Sequence, residues 1–328
     1  MSRALALALG AMVAALMLAS LLIGPAGVPP GAAMRALLTG DDPLLTLVMR
    51  EVRTPRAILA ALIGAGLGLS GAVMQGYLRN PLAEPGLLGV AGAAALGAVI
   101  TLQTGLAAVV PLALPAAALA GSAAAVALLA ALAGPRGGSL TLILAGIGVS
   151  ALAGAGVTLV LNLSPDPFAA NEAMFWLMGS ITDRSWSHVA IAAPFILGGM
   201  ALLATQGRAL AALTLGEEAA ASMGFDLSRL RLVVMLGLAA TVGAATAVAG
   251  AIGFVGLVVP HLLRRWVRAS PAALLGASAL GGAAMVLAAD IAVRLVLPDR
   301  DLKLGVLMAL IGAPFFLHLI LRHRLAQS

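Results

Sequence analysis

Cysteine is absent from this 328-residue chain, lysine occurs once, at Lys303, and charged residues make up only 10% of the sequence. Without thiols there can be no disulfide, thiolate metal site or thiol nucleophile. The four histidines, His188, His261, His318 and His323, include no i,i+4 pair, so no metal site is expected. A P-loop needs G-x-x-x-x-G-K-[ST], and the single lysine stands in D-L-K-L-G, so the chain cannot split ATP by itself. The formal charge of +6 comes from arginine and that one lysine. It reads as loop charge that orients membrane helices, not as a nucleic-acid surface.

What the chain has instead is grease. Apolar residues make up 62% and the mean hydropathy is +1.09, whereas soluble domains are about a quarter charged. Such a chain cannot cover itself with a polar surface, so membrane lipid is its expected surrounding. The 39 glycines fit close helix packing, because small residues let backbones approach inside lipid.

Apolar runs occur at Ala4–Ile23, Ala57–Leu78, Leu87–Leu102, Leu106–Ala133, Leu140–Leu163, Val189–Ala204, Leu230–Ile252, Phe254–Leu263, Ala272–Leu297 and Leu304–Leu321. The first is longer than the apolar core of a signal peptide and reads as an uncleaved first span. The connection from Pro25 to Arg56, with its prolines and acids, reads as extramembrane with room for a short interfacial helix. The run after Gly253 is too short to cross about 30 Å of hydrocarbon upright, so it is expected to be tilted, re-entrant or sheltered by neighbours. The expected fold is an all-α polytopic bundle of about ten spans, one domain over residues 1–328.

Placing both termini in the cytoplasm collects Arg3, Arg79, Arg136, Arg208, Arg229, Arg231, Arg264, Arg265, Arg268, Arg322 and Arg324 on that side. Arg35, Arg50, Arg53, Arg56, Arg184, Arg294, Arg300 and Lys303 are left on the other. Small residues recur every fourth position at Gly64, Gly68, Ala72 and Gly76, and at Gly146, Ser150, Gly154 and Thr158. These are contact faces, with packing inside the chain the favoured use and a subunit interface the alternative.

Three polar features interrupt the grease. In LTLGEEAAASMGFDLSRLR, Thr214 and Glu217 have capping-box spacing, Glu218 adds first-turn charge and Gly224 suits a left-handed stop, with Asp226 or Ser228 capping the next helix. Gly250, Gly253, Gly256 and Pro260 punctuate VAGAIGFVGLVVPHLLRR, marking a pore-lining or hinge segment. Asp290 lies inside a span with Arg294 four residues on, which calls for an ion pair or a water-lined position. The tetrad Gly68-Leu69-Ser70-Gly71 has the form found around the nucleophile of intramembrane rhomboid proteases, but no histidine obviously matches its depth.

The strings RTPRAILAALIGAGLGLSGAVMQGYLRNPLAEPGLLGVAGAAALGA, LILAGIGVSAL, FWLMGS, LGEEAAASMGF, VAGAIGFVGLVVPHLLR and GVLMALIGAPFFLHLIL together resemble the FecCD-type permeases, importers of ferric siderophores, haem and cobalamin. The likeness runs in order from Arg53 to Arg322 and lies near the cobalamin permease. It implies a homodimer in the bacterial inner membrane, two cytoplasmic ATPase subunits and a periplasmic substrate-binding protein. ATP and magnesium would be held by the ATPase, leaving this chain without a cofactor. The resemblance makes residues 213–228 coupling helices, with Thr214, Glu217, Glu218, Met223 and Gly224 transmitting ATPase closure. Arg53, Arg56 and Arg294 become docking arginines for the binding protein, and Asn80, Leu82, Ser139 and Leu140 the cytoplasmic gate. Lys303 stands where the family usually has proline, and Leu140 where the cobalamin permease has a small polar residue. The cargo expected is therefore a ferric siderophore or haem, with cobalamin second. An ion-coupled secondary transporter and an intramembrane protease are the alternatives of other classes.

Overall fold

A computed structural model describes residues 1–24, 27–110, 112–134, 138–296 and 302–325; Arg136 and Arg300 fall outside them, as do the side chains of Ser139, Arg322, His323 and Arg324. The described chain is helical. In order come α1 (Arg3–Leu22), α2 (Pro30–Leu38), α3 (Pro43–Leu47), α4 (Thr54–Tyr77), α5 (Val90–Gln103), α6 (Leu106–Val109), α7 (Ala113–Ala133) and α8 (Ser139–Asn162). After these come α9 (Pro167–Leu177), α10 (Trp186–Ala204), α11 (Gly207–Leu213), α12 (Glu217–Ser222), α13 (Leu227–Ala249), α14 (Val255–Leu263), α15 (Pro271–Val296) and α16 (Leu304–Leu325). Eight helical stretches among the described residues are long and apolar enough to cross a membrane. α5 is a shorter apolar helix and α14, at nine residues, is too short to cross upright, as expected; the ten expected runs all have helical counterparts.

Several expectations shift at the edges. The Leu106–Ala133 run is divided into α6 and α7, with Val110 extended between them, the conformation a residue before proline prefers. The segment before α4 is more helical than expected: α3 passes through a π-helical turn, Val48–Arg53, directly into α4. α9 has no counterpart among the apolar runs. Its signal is the pair Asp166-Pro167, an N-cap whose carboxylate accepts the Phe168 N–H, followed by a proline that needs no partner there.

The core is an α4–α15 contact without side chains between the backbones. A Cβ on Gly68 would overlap the Ser278 carbonyl oxygen, and one on Gly64 would overlap that of Gly282. Only glycine allows this approach, and the gain is dispersion between the two helices. Gly71 meets Gly256 of α14 equally closely, and Gly76 touches Leu210 of α11. The first small-residue stripe is thus packing within the chain. The second is split: Gly146 rests on the Leu87 backbone, but nothing lies within 4 Å of where a Gly154 Cβ would be.

Three polar bonds define opposite ends of the bundle. At one, Arg231 donates to the Gly134 carbonyl and to the Tyr77 hydroxyl, so the C-termini of α4 and α7 meet the start of α13. At the other, the Trp186 indole donates to the Arg50 carbonyl. The first is the basic end, which carries Arg79, Arg229, Arg231, Arg264, Arg265 and Arg268.

Candidate translocation and coupling sites

At the basic end α11 and α12 form a compact elbow. α12 begins at Gly216, in a glycine-only conformation (φ 110°, ψ 161°), and no side chain caps it. The expected Thr214–Glu217 capping box is therefore not formed; Thr214 Oγ1 instead donates back to the Ala211 carbonyl. Glu217 and Glu218 do occupy the first turn, where negative charge opposes the helix dipole. Gly224 is left-handed, φ 87°, and the Gly224 and Phe225 amides close on the carbonyls of Ala221 and Ala220. That is a Schellman stop. Asp226 then caps α13 by accepting from the Ser228 and Arg229 amides. The elbow is fixed at both of its turns, yet it presents Leu215 and Met223, 71% and 50% exposed. A rigid element with uncovered apolar side chains on a polar end of a membrane bundle is suited to receiving a soluble partner.

The hinge segment lies between α13 and α14. Gly250 (φ 69°) ends α13 against the Trp176 carbonyl, the chain runs without helix to Phe254, and Phe254 is itself left-handed at φ 66°. Gly256 is pressed against Gly71 and Pro85, whereas Gly253 has only the Glu84 carboxylate near it. α14 continues through Pro260, as the Arg264 amide closes on the Pro260 carbonyl. The break is sheltered, as backbone polar groups at membrane depth require. Glu84 Oε1 accepts the Phe254 N–H, and Gln75 Nε2 donates to the carbonyls of Gly256 and Leu257. A cavity of about 100 Å³ is lined here by Glu84, Pro85, Gly250, Gly253 and Gly256 among others. It has room for a few waters at about 30 Å³ each. Glu84 and Gln75 lie outside the motifs that hydropathy and spacing pick out; the break they serve is 170 or more residues away in sequence, so no local signal marks them.

Among the residues expected at a gate, Asn80 Oδ1 accepts the Leu82 N–H in a tight turn, and the chain then climbs so that Leu87 and Leu88 touch Gly146 of α8. α5 is short because this rising segment covers part of the crossing. Leu140 is 69% exposed at the start of α8, and Ser139 is the first residue of that helix. Asn80 spends its side-chain oxygen locally, and the contact with α8 is made by Leu87 and Leu88 at Gly146. α8 also exposes Leu144, Ile147, Leu152 and Leu159, and α16 exposes Leu310, Ile311 and Leu317. These two helices leave an apolar face that the rest of the described chain does not cover.

Arg53, Arg56 and Arg294 gather at the far end, and all three are engaged within the chain. Arg56 Nη2 and Arg294 Nη2 each lie 2.8 Å from Asp290, on different carboxylate oxygens. Arg294 also donates to the Ser20 and Ile23 carbonyls and to the Ser20 hydroxyl, and Arg53 donates to the Leu21 and Leu22 carbonyls. Arg53 and Arg294 are buried, and Arg56 keeps a 14% exposed side chain. The ion pair expected of Asp290 is present, and it ties α1, α4 and α15 together.

The protease alternative finds no support in this geometry. Ser70 is fully buried, and its hydroxyl has no hydrogen-bond partner among the described residues. No cluster of three or more potential metal ligands occurs among the described residues either.

Residues 12–322 match the model of the FecCD transport family. The hemin transport system permease protein of Yersinia pestis is 38% identical over 300 residues, 88% of either chain. The vitamin B12 import system permease protein of Vibrio cholerae is 40% identical over 277 residues, covering 83% of this chain and 82% of its own. A solved structure described as an inward-facing conformation of a metal-chelate type ABC transporter superposes with a TM-score of 0.87 at 30% identity, covering 98% of this chain and 100% of that one.

Proposed function

Since the chain belongs to the FecCD transport family, the permeases of ATP-binding-cassette importers for haem, siderophores or cobalamin, we propose that it carries a ferric siderophore or haem inward through the bacterial inner membrane. The ATPase is a separate subunit, so this chain performs no covalent step and needs no bound cofactor of its own. The observation that carries the reading is the elbow: a doubly fixed, partly apolar projection on a chain with no nucleotide site. We assign its outer surface, Thr214, Glu217, Glu218, Met223 and Gly224, to contact with the ATPase.

In this reading the basic end, with both termini, lies in the cytoplasm. A second copy of the chain covers the open faces of α8 and α16, and the cargo passes between the copies. ATPase closure moves the elbow as a rigid body, and the motion reaches the pore through α13 and the Gly250–Gly256 break. Asn80, Leu82, Ser139 and Leu140 form the constriction on the cytoplasmic side. A periplasmic binding protein docks at the end bearing Arg53, Arg56 and Arg294. Since only Arg56 of the three keeps surface, its partial exposure favours a direct contact there, with the other two holding its platform.

Cobalamin is the second reading, favoured by the likeness to the Vibrio cholerae protein. The test is uptake by proteoliposomes holding this chain, its ATPase and its binding protein. Labelled ferric siderophore, haem and cyanocobalamin are offered separately. ATP-dependent accumulation of an iron chelate supports the proposal, and accumulation of cyanocobalamin alone replaces it.

A further inference from the structure

A second cavity, of about 230 Å³, opens at the basic end where the elbow meets α4 and α15. Its walls include Gln75 and Arg79 from the end of α4, Thr214 from the elbow, and Arg264 from the turn after α14. There are two arginines in that lining and no acid. Arg264 Nη2 donates to Gln75 Oε1 at 2.8 Å, but its buried Nε has no partner among the described residues. Burial lowers the Arg264 pKa from its ordinary value, yet a guanidinium keeps its proton. The side chains of Arg79, Arg265 and Arg268 likewise have no acidic partner within 4 Å among the described residues. Arg79 and Arg268 are each held in left-handed backbone, φ 51°, which costs energy for a residue with a Cβ.

An uncompensated cationic cavity of this kind calls for an anion, and Arg favours the planar pairing that phosphate offers. The surroundings say where the anion comes from. On the same turn Trp266 is 71% exposed and, one turn earlier, Leu262 is 54% exposed. Tryptophan at the end of a membrane helix sits at headgroup level, so exposed apolar anchors lie within two residues of Arg264, outside the cavity lining itself. We propose that this cavity binds the phosphate of an anionic phospholipid from the adjoining leaflet, with Arg79 and Arg264 as its ligands and Trp266 and Leu262 against its glycerol and chains. Because Thr214 forms part of the wall, the bound headgroup braces the elbow against α4 and α15. The site is independent of which chelate is carried.

The test uses the permease purified with its ATPase. Binding of phosphatidylglycerol is titrated by native mass spectrometry, against phosphatidylcholine as reference. Arg79→Ala, which breaks no bond seen in the fold, is expected to weaken phosphatidylglycerol binding about fivefold, the factor for one arginine at about 1 kcal/mol. Arg264→Lys keeps the charge but loses the fork, and should also weaken it; Arg208→Ala, exposed on the same end outside the cavity, should not. Displacement of the lipid by inorganic phosphate at equal concentration would overturn the lipid source in favour of free phosphate. Unchanged lipid binding in Arg79→Ala and Arg264→Lys overturns the site. If those variants instead lose only ATPase affinity, the cavity receives an acidic side chain of the partner and the proposal is wrong.

Discussion

Asp290 holds the guanidinium of Arg56 at 2.8 Å although 234 residues separate them in sequence. The same carboxylate binds Arg294 through its other oxygen, and the carboxylate is 1% exposed. One acid therefore pairs with two cations at the packed end of α4 and α15, leaving the triad with one net positive charge, and removing it would leave both arginines without a counter-charge.

Asp290→Asn is accordingly expected to destabilise the permease by about 3–5 kcal/mol, the range for breaking a buried pair from one side. Thermal unfolding in detergent, followed with and without the substitution, measures this. An unchanged transition would show that the two arginines find other partners. Arg56→Ala should cost less, since Arg294 and its Ser20 and Ile23 contacts keep Asp290 satisfied.

Gly71→Ala should be severely disruptive for a different reason. Its Cβ would overlap the Gly256 carbonyl oxygen, and backbone on both sides leaves no flexible side chain to yield. By contrast, Gly154→Ala meets open space and is expected to leave the monomer's stability within about 0.5 kcal/mol. Its effect should appear only in subunit association, read by cross-linking. Equal unfolding temperatures for the two variants would contradict the packing described.

Glu84→Gln tests the hinge. The amide can still accept the Phe254 N–H, so the fold should survive, but a neutral acceptor is weaker than a carboxylate by roughly a factor of two. Uptake is expected to fall while ATPase association stays the same. Wild-type uptake would remove Glu84 from the moving segment.

Met223→Cys exploits a background with no native thiol. With Met223 half exposed, a membrane-impermeant maleimide should label it from the basic end in the isolated permease, and bound ATPase should protect it. Labelling that the ATPase leaves unaltered would place the partner elsewhere.

Much of the fold is legible in hydropathy, because lipid imposes one rule on every span: the long apolar runs of α1 and α8 match their helices to within one residue at each end, and that of α13 is displaced by three. The break at Gly250 is equally visible, since only glycines and a proline interrupt a buried apolar run. The features that hydropathy does not reveal depend on partners distant in sequence. Nothing local in Asp290 says that Arg56 will reach it, and nothing local in Gln75 says that it will bridge Gly256 and Arg264. The capping box fails for a more local reason: Gly216 adopts a conformation that starts α12 without side-chain help, so Thr214 turns back on its own helix. α9 is obscured because its apolar residues are too few to look like a span, although its Asp-Pro start is in plain view.

The proposed function makes the elbow the contact for the ATPase, and replacing both Glu217 and Glu218 by arginine probes that assignment most directly. Chelate uptake is measured in proteoliposomes carrying that variant, with the binding protein inside the assay and ATP supplied to the ATPase side. Uptake is expected to be lost while the permease still folds and dimerises. Full uptake by that variant, or uptake by the wild-type chain with no ATPase present, would contradict a coupling role for the elbow.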